Sequence, residues 1–314
     1  RTMLPPEQNA PRGGHIPGKE RVNYESGDGA VAVRGQFRLP KRRADSHKGD
    51  YGKLLIVGGS VGYSGAPNLC AAAAVRAGAG LVRLGVPEPV WPASAVKNSE
   101  VMPFPLPADG DGRIAPEALE RLRAEAAWAD VIAAGPGLGR CEATAALVRW
   151  LLGSWRGPLV LDADALWAAA GAEELLDRSS ARVVLTPHEG EFARLWPGRS
   201  GDRERDARAY AAAHGCALVL KGHRTLAAFP DGALYRIEAG NPGMATGGSG
   251  DVLTGVIAAM LGQLDFERAV VTGCWLHARA GDLAAGRLGE YALAASDIIG
   301  ALPQAELEIT ETDR

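Results

Sequence analysis

From Lys53 onward the chain alternates short apolar runs with longer, Ala-rich stretches. Leu54–Val57, Leu81–Val86, Val131–Ala134, Leu159–Leu161, Val183–Leu185 and Ala217–Leu220 are largely continuous apolar runs. That is the pattern of strands buried on both faces of a parallel sheet. Residues 66–77, 116–128, 142–152 and 202–214 lie between or after these runs and read as helices. The succession predicts βαβ units and an α/β fold. Pro230-Asp231-Gly232 sits between Thr225–Phe229 and Ala233–Ile237, which predicts a hairpin added to the sheet. Two further helices are expected at 251–262 and 267–283, where Val270, Val271, Trp275 and Leu276 fit helical spacing better than alternation. The proline-rich segment 87–112 reads as loop. Residues 1–44 read as an irregular extension, 45–302 as one domain, and 303–314 as an acidic tail.

Composition narrows this picture. The 314 residues carry 34 Lys/Arg and 37 Asp/Glu, a net charge of −3. That balance gives no basic field for nucleic acid. Arg76, Arg83 and Arg149 interrupt the longest apolar stretches, so no membrane-spanning helix is expected. Cys70, Cys141, Cys216 and Cys274 are far apart and form no CxxC pair or zinc spacing. Scattered thiols fit a reducing, cytoplasmic setting, and residues 1–30 have no apolar core of a signal peptide. The unusual number is glycine: 41 of 314 residues, about 13% against an average of about 7%. An excess of this kind signals loose loops or backbone that must approach a ligand closely.

Where the odd residues fall favours the second reading. Gly58, Gly135, Asp162, Thr186 and Lys221 all follow the C-terminal ends of predicted strands, the edge at which open α/β sheets bind ligands. The richest segment is Asn241-Pro-Gly-Met-Ala-Thr-Gly-Gly-Ser-Gly-Asp251, which runs into a predicted helix. Unpaired N–H groups and the helix dipole make such a start a phosphate site. Asp251 can act there as an ordinary N-cap or as a general base beside the phosphate, and the two roles are compatible. No GxxxxGK[ST] and no GxGxxG occurs, since Gly135-Pro-Gly-Leu-Gly139 is followed by Arg140.

The segment Gly240–Asp251 resembles the ribokinase-like superfamily, which places a Gly-x-Gly-Asp anion hole at a helix N-terminus. Further motifs follow in order: His47-Lys48-Gly49, Tyr51-Gly52, Val57-Gly-Gly-Ser60, Ser64-Gly-Ala-Pro67, Gly135–Gly139, Leu161-Asp-Ala-Asp-Ala-Leu166, Thr186-Pro-His-Glu-Gly-Glu191 and Lys221-Gly222 with Thr225. Together they resemble the ADP-dependent NAD(P)H-hydrate dehydratases over about residues 45–302. The resemblance implies a three-layer α/β/α sandwich with a mainly parallel central sheet. It implies dehydration of the S hydrate of NADH or NADPH with ADP (or ATP) and Mg²⁺, by phosphorylation of the ring hydroxyl and loss of phosphate. Asp251 would be the base, with the N–H groups of Gly248, Ser249 and Gly250 holding the phosphoryl group. Lys221, Gly222, His223, Arg224, Thr225 and Gly250 would line the nucleotide site, and Ala66, Gly137, His188 and Asp251 the hydrate site. Glu189, Glu191, Asp162 and Asp164 are the Mg²⁺ candidates.

Each of these has a plainer reading too: Ala66 a core helix residue, Gly137 a turn, His188 a residue at a helix start, and the acids solvated caps. The resemblance also implies a homotetramer without nucleic-acid or membrane partners. Many family members carry an additional N-terminal epimerase domain, too large for the residues before Asp50, so epimerase activity is not expected of this chain. The rival readings are a ribokinase-like kinase for a thiazole, pyridoxal or hydroxymethylpyrimidine alcohol, and a silent nucleotide-binding regulator.

Overall fold

A computed structural model describes residues 29–311. Ten strands form one sheet: β1 (Val31–Val33), β2 (Lys53–Val57), β3 (Leu81–Pro87), β4 (Met102–Leu106), β5 (Val131–Ala134), β6 (Pro158–Leu161), β7 (Arg182–Leu185), β8 (Ala217–Leu220), β9 (Leu226–Ala228) and β10 (Leu234–Ile237). Their order is β1-β10-β9-β8-β7-β6-β5-β2-β3-β4. Every pairing is parallel except the two made by β9. The predicted hairpin is therefore present, and its turn returns the chain to the direction of the other strands.

Side chains alternate across the sheet and build two cores. Leu54, Ile56, Val131, Ala133, Val160 and Val219 face one layer of helices. Leu55, Val57, Ile132, Ala134, Leu161 and Leu220 face the other. The first layer holds α1 (Gly65–Arg76), α9 (Ser249–Leu261), α10 (Phe266–Leu288) and α11 (Ala295–Ile309). The second holds α3 (Ala118–Ala126), α4 (Glu142–Ser154), α5 (Asp164–Ala169), α6 (Glu173–Asp177), α7 (Glu189–Leu195) and α8 (Arg203–His214). A short α2 (Trp91–Lys97) lies against β3 and β4 at the edge. Continuous apolar runs are required because both faces of each central strand are covered.

Three segments differ from the sequence reading. Residues 1–28 of the proposed irregular extension lie outside the described residues, but Val31–Val33 adds an edge strand beside β10 and buries Val33 completely. Three residues are too few for a periodic signal. In the supposed loop 87–112, Met102–Leu106 pairs with β3 alone. An edge strand leaves half its N–H groups outside the ladder, so Pro103 and Pro105 are tolerated there. The proposed acidic tail begins inside α11, which runs to Ile309 despite Pro303 because Leu302, Ala305 and Ile309 are buried against the core.

The direction of winding reverses between β2 and β5, which are neighbours in the sheet although β3 and β4 intervene in sequence. At the C-terminal edge of that pair the Gly59 N–H donates to Pro136 O at 2.8 Å. Open α/β sheets bind ligands at such a reversal, and the candidates Ala66 and Gly137 lie beside it.

Candidate active site

The glycine-rich segment enters α9 through Gly248, which occupies the N-cap with φ +91°. A Cβ at Gly248 would lie 2.5 Å from Leu69 Cδ1, so glycine is needed for conformation and for contact with α1. Asp251 is thus the third residue of the helix, within its first turn, and the N-cap is the glycine. The i→i−4 ladder begins at Val252, which donates to Gly248 O at 3.1 Å. The first-turn N–H groups of Gly250 and Asp251 consequently have no helical acceptor. The Ser249 N–H turns back to Thr246 O at 3.4 Å, so of the expected phosphoryl donors it is already engaged, though at a long distance.

Below this turn lies a buried charge cluster drawn from four distant parts of the chain. Asp162 is 1% exposed at the end of β6. Its Oδ1 is 2.8 Å from Lys221 Nζ, and its Oδ2 accepts from Thr254 Oγ1 at 2.8 Å. Glu191 Oε2 stands 3.8 Å from the same ammonium. Burial works against the charge on Lys221, but Asp162 and Glu191 outweigh it and lift its pKa above the usual lysine value. Asp251 responds in the opposite way. Burial, and then the negative charge of Asp162, push its carboxyl from 3.8 up to about 7, with Lys221 opposing. A carboxyl titrating near neutrality beside free N–H groups can take a proton from an alcohol. Gly250 completes the contact, since a Cβ there would sit 3.3 Å from Lys221 Nζ.

The other candidates divide into those that meet and those that do not. Gly137 has φ +66°, and a Cβ on it would lie 2.8 Å from Tyr63 O and 3.4 Å from Ala66 Cβ. Ala66 and Gly137 are therefore one surface across the β2–β5 reversal. His188 is the N-cap of α7: its Nδ1 accepts from the N–H groups of Gly190 at 3.0 Å and Glu191 at 3.3 Å. The capping role is real, and it leaves Nε2 as the hydrogen-bearing nitrogen of the neutral ring. Glu191 returns the bond, accepting from His188 N at 2.9 Å, which links this cap to Lys221.

The four Mg²⁺ candidates separate. Glu189 pairs with Arg203 at 2.5 Å. Asp164 accepts from Gly139 N at 2.9 Å and faces Arg140 at 3.3 Å. Only Asp162 and Glu191 remain together, on either side of Lys221. No group of three His, Cys, Asp or Glu residues able to hold a metal ion forms among the described residues. Two carboxylates suit a Mg²⁺ carried mainly by nucleotide phosphates and water, not one caged by protein.

Some contributors were not legible from the motifs. Arg203 reaches His223 O at 3.0 Å and Leu220 O at 3.5 Å, bracing the loop that begins at Lys221. That loop holds Arg224 at φ +56°, an uncommon conformation for a side-chain-bearing residue. Thr225 O accepts from Ile237 N at 2.9 Å, which ties the loop's far end to β10. A broad depression of about 810 Å³ adjoins His223 and Arg224 on the α8 side, and Asp251 does not line it. Thr254 follows Asp251 by three residues, a helical spacing that places both near Asp162.

The family model described as NAD(P)H-hydrate dehydratase matches residues 54–304. The chain belongs to that family. It is 46% identical over 271 residues to a bifunctional NAD(P)H-hydrate repair enzyme of Moorella thermoacetica, covering 85% of this chain and 51% of the relative. It is 39% identical over 283 residues to an ADP-dependent (S)-NAD(P)H-hydrate dehydratase of Neisseria meningitidis, covering 84% and 90%. The crystal structure of an ADP/ATP-dependent NAD(P)H-hydrate dehydratase from Bacillus subtilis, co-crystallized with ATP/Mg²⁺, superposes with a TM-score of 0.73 at 32% identity, covering 87% of this chain and 95% of that one. The chain thus spans about half the length of the bifunctional relatives. The fold is ribokinase-like, as the motif resemblance implied. No helix among the described residues is long and apolar enough to cross a membrane.

Proposed function

We propose that this chain returns the S hydrate of NADH or NADPH to the reduced nucleotide, with ADP as phosphoryl donor. The hydroxyl on the damaged ring gives its proton to Asp251, and its oxygen takes the terminal phosphoryl group, releasing AMP. The ring C–O bond then breaks with help from the nitrogen lone pair, phosphate departs where hydroxide could not, and loss of a proton from the adjacent ring carbon restores the double bond. The N–H groups of Gly248, Ser249 and Gly250 hold the phosphoryl oxygens, that of Ser249 exchanging its long bond to Thr246 O for phosphate, and Lys221 to Thr225 hold the nucleotide. Ala66, Gly137 and His188 border the hydrate. Asp162 and Glu191 would hold Mg²⁺ through its water shell, and the ion would neutralise phosphate charge. The observation that carries the reading is Asp251: a carboxyl at about 7 in the first turn of a helix whose free N–H groups suit phosphate. Family membership over residues 54–304 supports it.

We further propose a cytoplasmic homotetramer. Four free cysteines, three of them buried, suit a reducing compartment, and light scattering tests the assembly. The activity test mixes purified protein with S-NADH hydrate, Mg²⁺ and ADP, then ATP, while reduced-nicotinamide absorbance is followed. Absorbance should recover in step with AMP and phosphate release. No recovery with either nucleotide overturns the reading, and phosphorylation of a simple alcohol instead would favour the kinase.

A further inference from the structure

The segment before α9 is held from one side by a single helix. At its start, Asp282 on α10 accepts from Gly240 N at 3.0 Å and from Asn241 Nδ2 at 2.9 Å. In its middle, Met244 packs where a Cβ on Gly281 would fall 2.2 Å from Met244 Sδ. At its end, Ser249 Oγ lies 3.2 Å from His277 Nε2, and both residues are buried. His277 and Gly281 are four residues apart and so share one face of α10. None of the three α10 residues Asp282, Gly281 and His277 carries a role in the reaction proposed above.

His277 is an unusual choice for that position. A purely apolar residue would fill the space without burying two ring nitrogens, and burying a polar group is unfavourable unless it is hydrogen-bonded. Burial pushes the imidazole down to about 4, although its contact with the Ser249 backbone works the other way and Lys221 adds to the fall. The ring is neutral throughout the working pH range, so it holds a direction rather than a charge. Ser249 is the first residue of α9. Fixing its hydroxyl fixes the turn from which Gly250 and Asp251 present their N–H groups and carboxyl.

We infer that His277 is a positioning residue that acts through Ser249 to aim the first turn of α9 at the transferring phosphoryl group. The inference rests on the proposed role of that turn. Misplacing reacting groups by a fraction of an ångström to an ångström costs up to about 10²-fold in rate. His277→Phe keeps an aromatic ring and removes the nitrogen. His277→Gln restores an amide nitrogen near Nε2, and Ser249→Ala removes the partner. His277→Phe and Ser249→Ala should each lower kcat by about 10- to 10²-fold with KM for ADP nearly unchanged. Their combination should cost no more than the worse single change, because both break one bond. His277→Gln should recover most of the loss. A His277→Phe enzyme with wild-type kcat, or a double variant whose losses multiply, overturns the inference.

A second measurement does not depend on turnover. Imidazole ¹⁵N resonances of the wild-type protein should show His277 neutral in one tautomer from about pH 5 to about pH 9, and Ser249→Ala should change the tautomer populations. Unchanged populations overturn the Ser249–His277 link. A wild-type protein inactive on the hydrate, with the tautomer shift still present, would overturn the functional reading and leave this link standing.

Discussion

Asp251→Asn should cut turnover sharply and at the same time make the protein more stable. In the folded chain the carboxyl titrates at about 7 instead of 3.8, because it is buried near Asp162. Below about pH 4 both folded and unfolded chains hold the proton, and the group contributes nothing to pH dependence. Between about pH 4 and about pH 7 the unfolded chain releases its proton while the folded chain keeps it, so stability falls as pH rises. Above about pH 7 the loss is complete. At about 1.4 kcal/mol per pKa unit, the interval from 3.8 to about 7 corresponds to a ceiling of about 4 kcal/mol. Asparagine cannot ionise, but its amide must find partners in the same space, so a gain of about 2–4 kcal/mol is expected at pH ~8.

For a chain of this size that is about 4–8 °C in Tm, at about 2 °C per kcal/mol. Lys221 keeps its 2.8 Å contact with Asp162 in the variant, so the cluster is not left with an unpaired cation. The assay is thermal unfolding of wild type and variant across the pH range, beside turnover of the hydrate. Turnover should fall by about 10²–10⁴-fold, the usual range for losing a general base. A Tm difference that does not change with pH, or a variant less stable than wild type at pH ~8, would refute the reasoning.

Two further substitutions probe neighbouring parts of the site. Lys221→Met leaves Asp162 buried and without its cation, which should cost about 3–5 kcal/mol. It also removes the group that holds the Asp251 carboxyl down. The acid limb of the kcat/KM profile should therefore move to higher pH, and an unmoved limb would show that the two groups do not interact. Gly137→Ala places a Cβ at φ +66° and 2.8 Å from Tyr63 O. The left-handed conformation alone costs about 1–2 kcal/mol, and the displaced Tyr63–Ala66 wall should raise KM for the hydrate while the affinity for ADP, read by calorimetry, stays the same.

The apolar runs on their own determined the central strands and their burial on both faces, because only a covered parallel sheet needs Leu54–Val57 or Ala217–Leu220 to be apolar throughout. They determined the strand-end placement of Asp162 and Lys221, and the glycine-rich entry to α9, for the same local reason. Local pattern had less hold on short or peripheral elements. Val31–Val33 is a strand through its contact with β10, Met102–Leu106 in spite of two prolines, and Pro303 lies inside a helix because Leu302 and Ala305 are buried.

Tertiary structure alone decided which charged residues meet. Asp162, Glu191, Lys221, Asp251 and Thr254 come from β6, α7, the end of β8 and α9, and no spacing along the chain ranks Glu191 above Glu189 or Asp162 above Asp164. Their environments do: Arg203 and Arg140 take the other two acids, and the shared Lys221 keeps this pair. It also corrected one reading of the glycine excess. Not every glycine of the excess faces a ligand: Gly255 lies inside α9, where a Cβ would sit 2.1 Å from Cys70 O. That glycine serves the close crossing of α1 and α9. An absent side chain looks the same in sequence whether the space is left for a ligand or for another helix, and only the packing tells them apart.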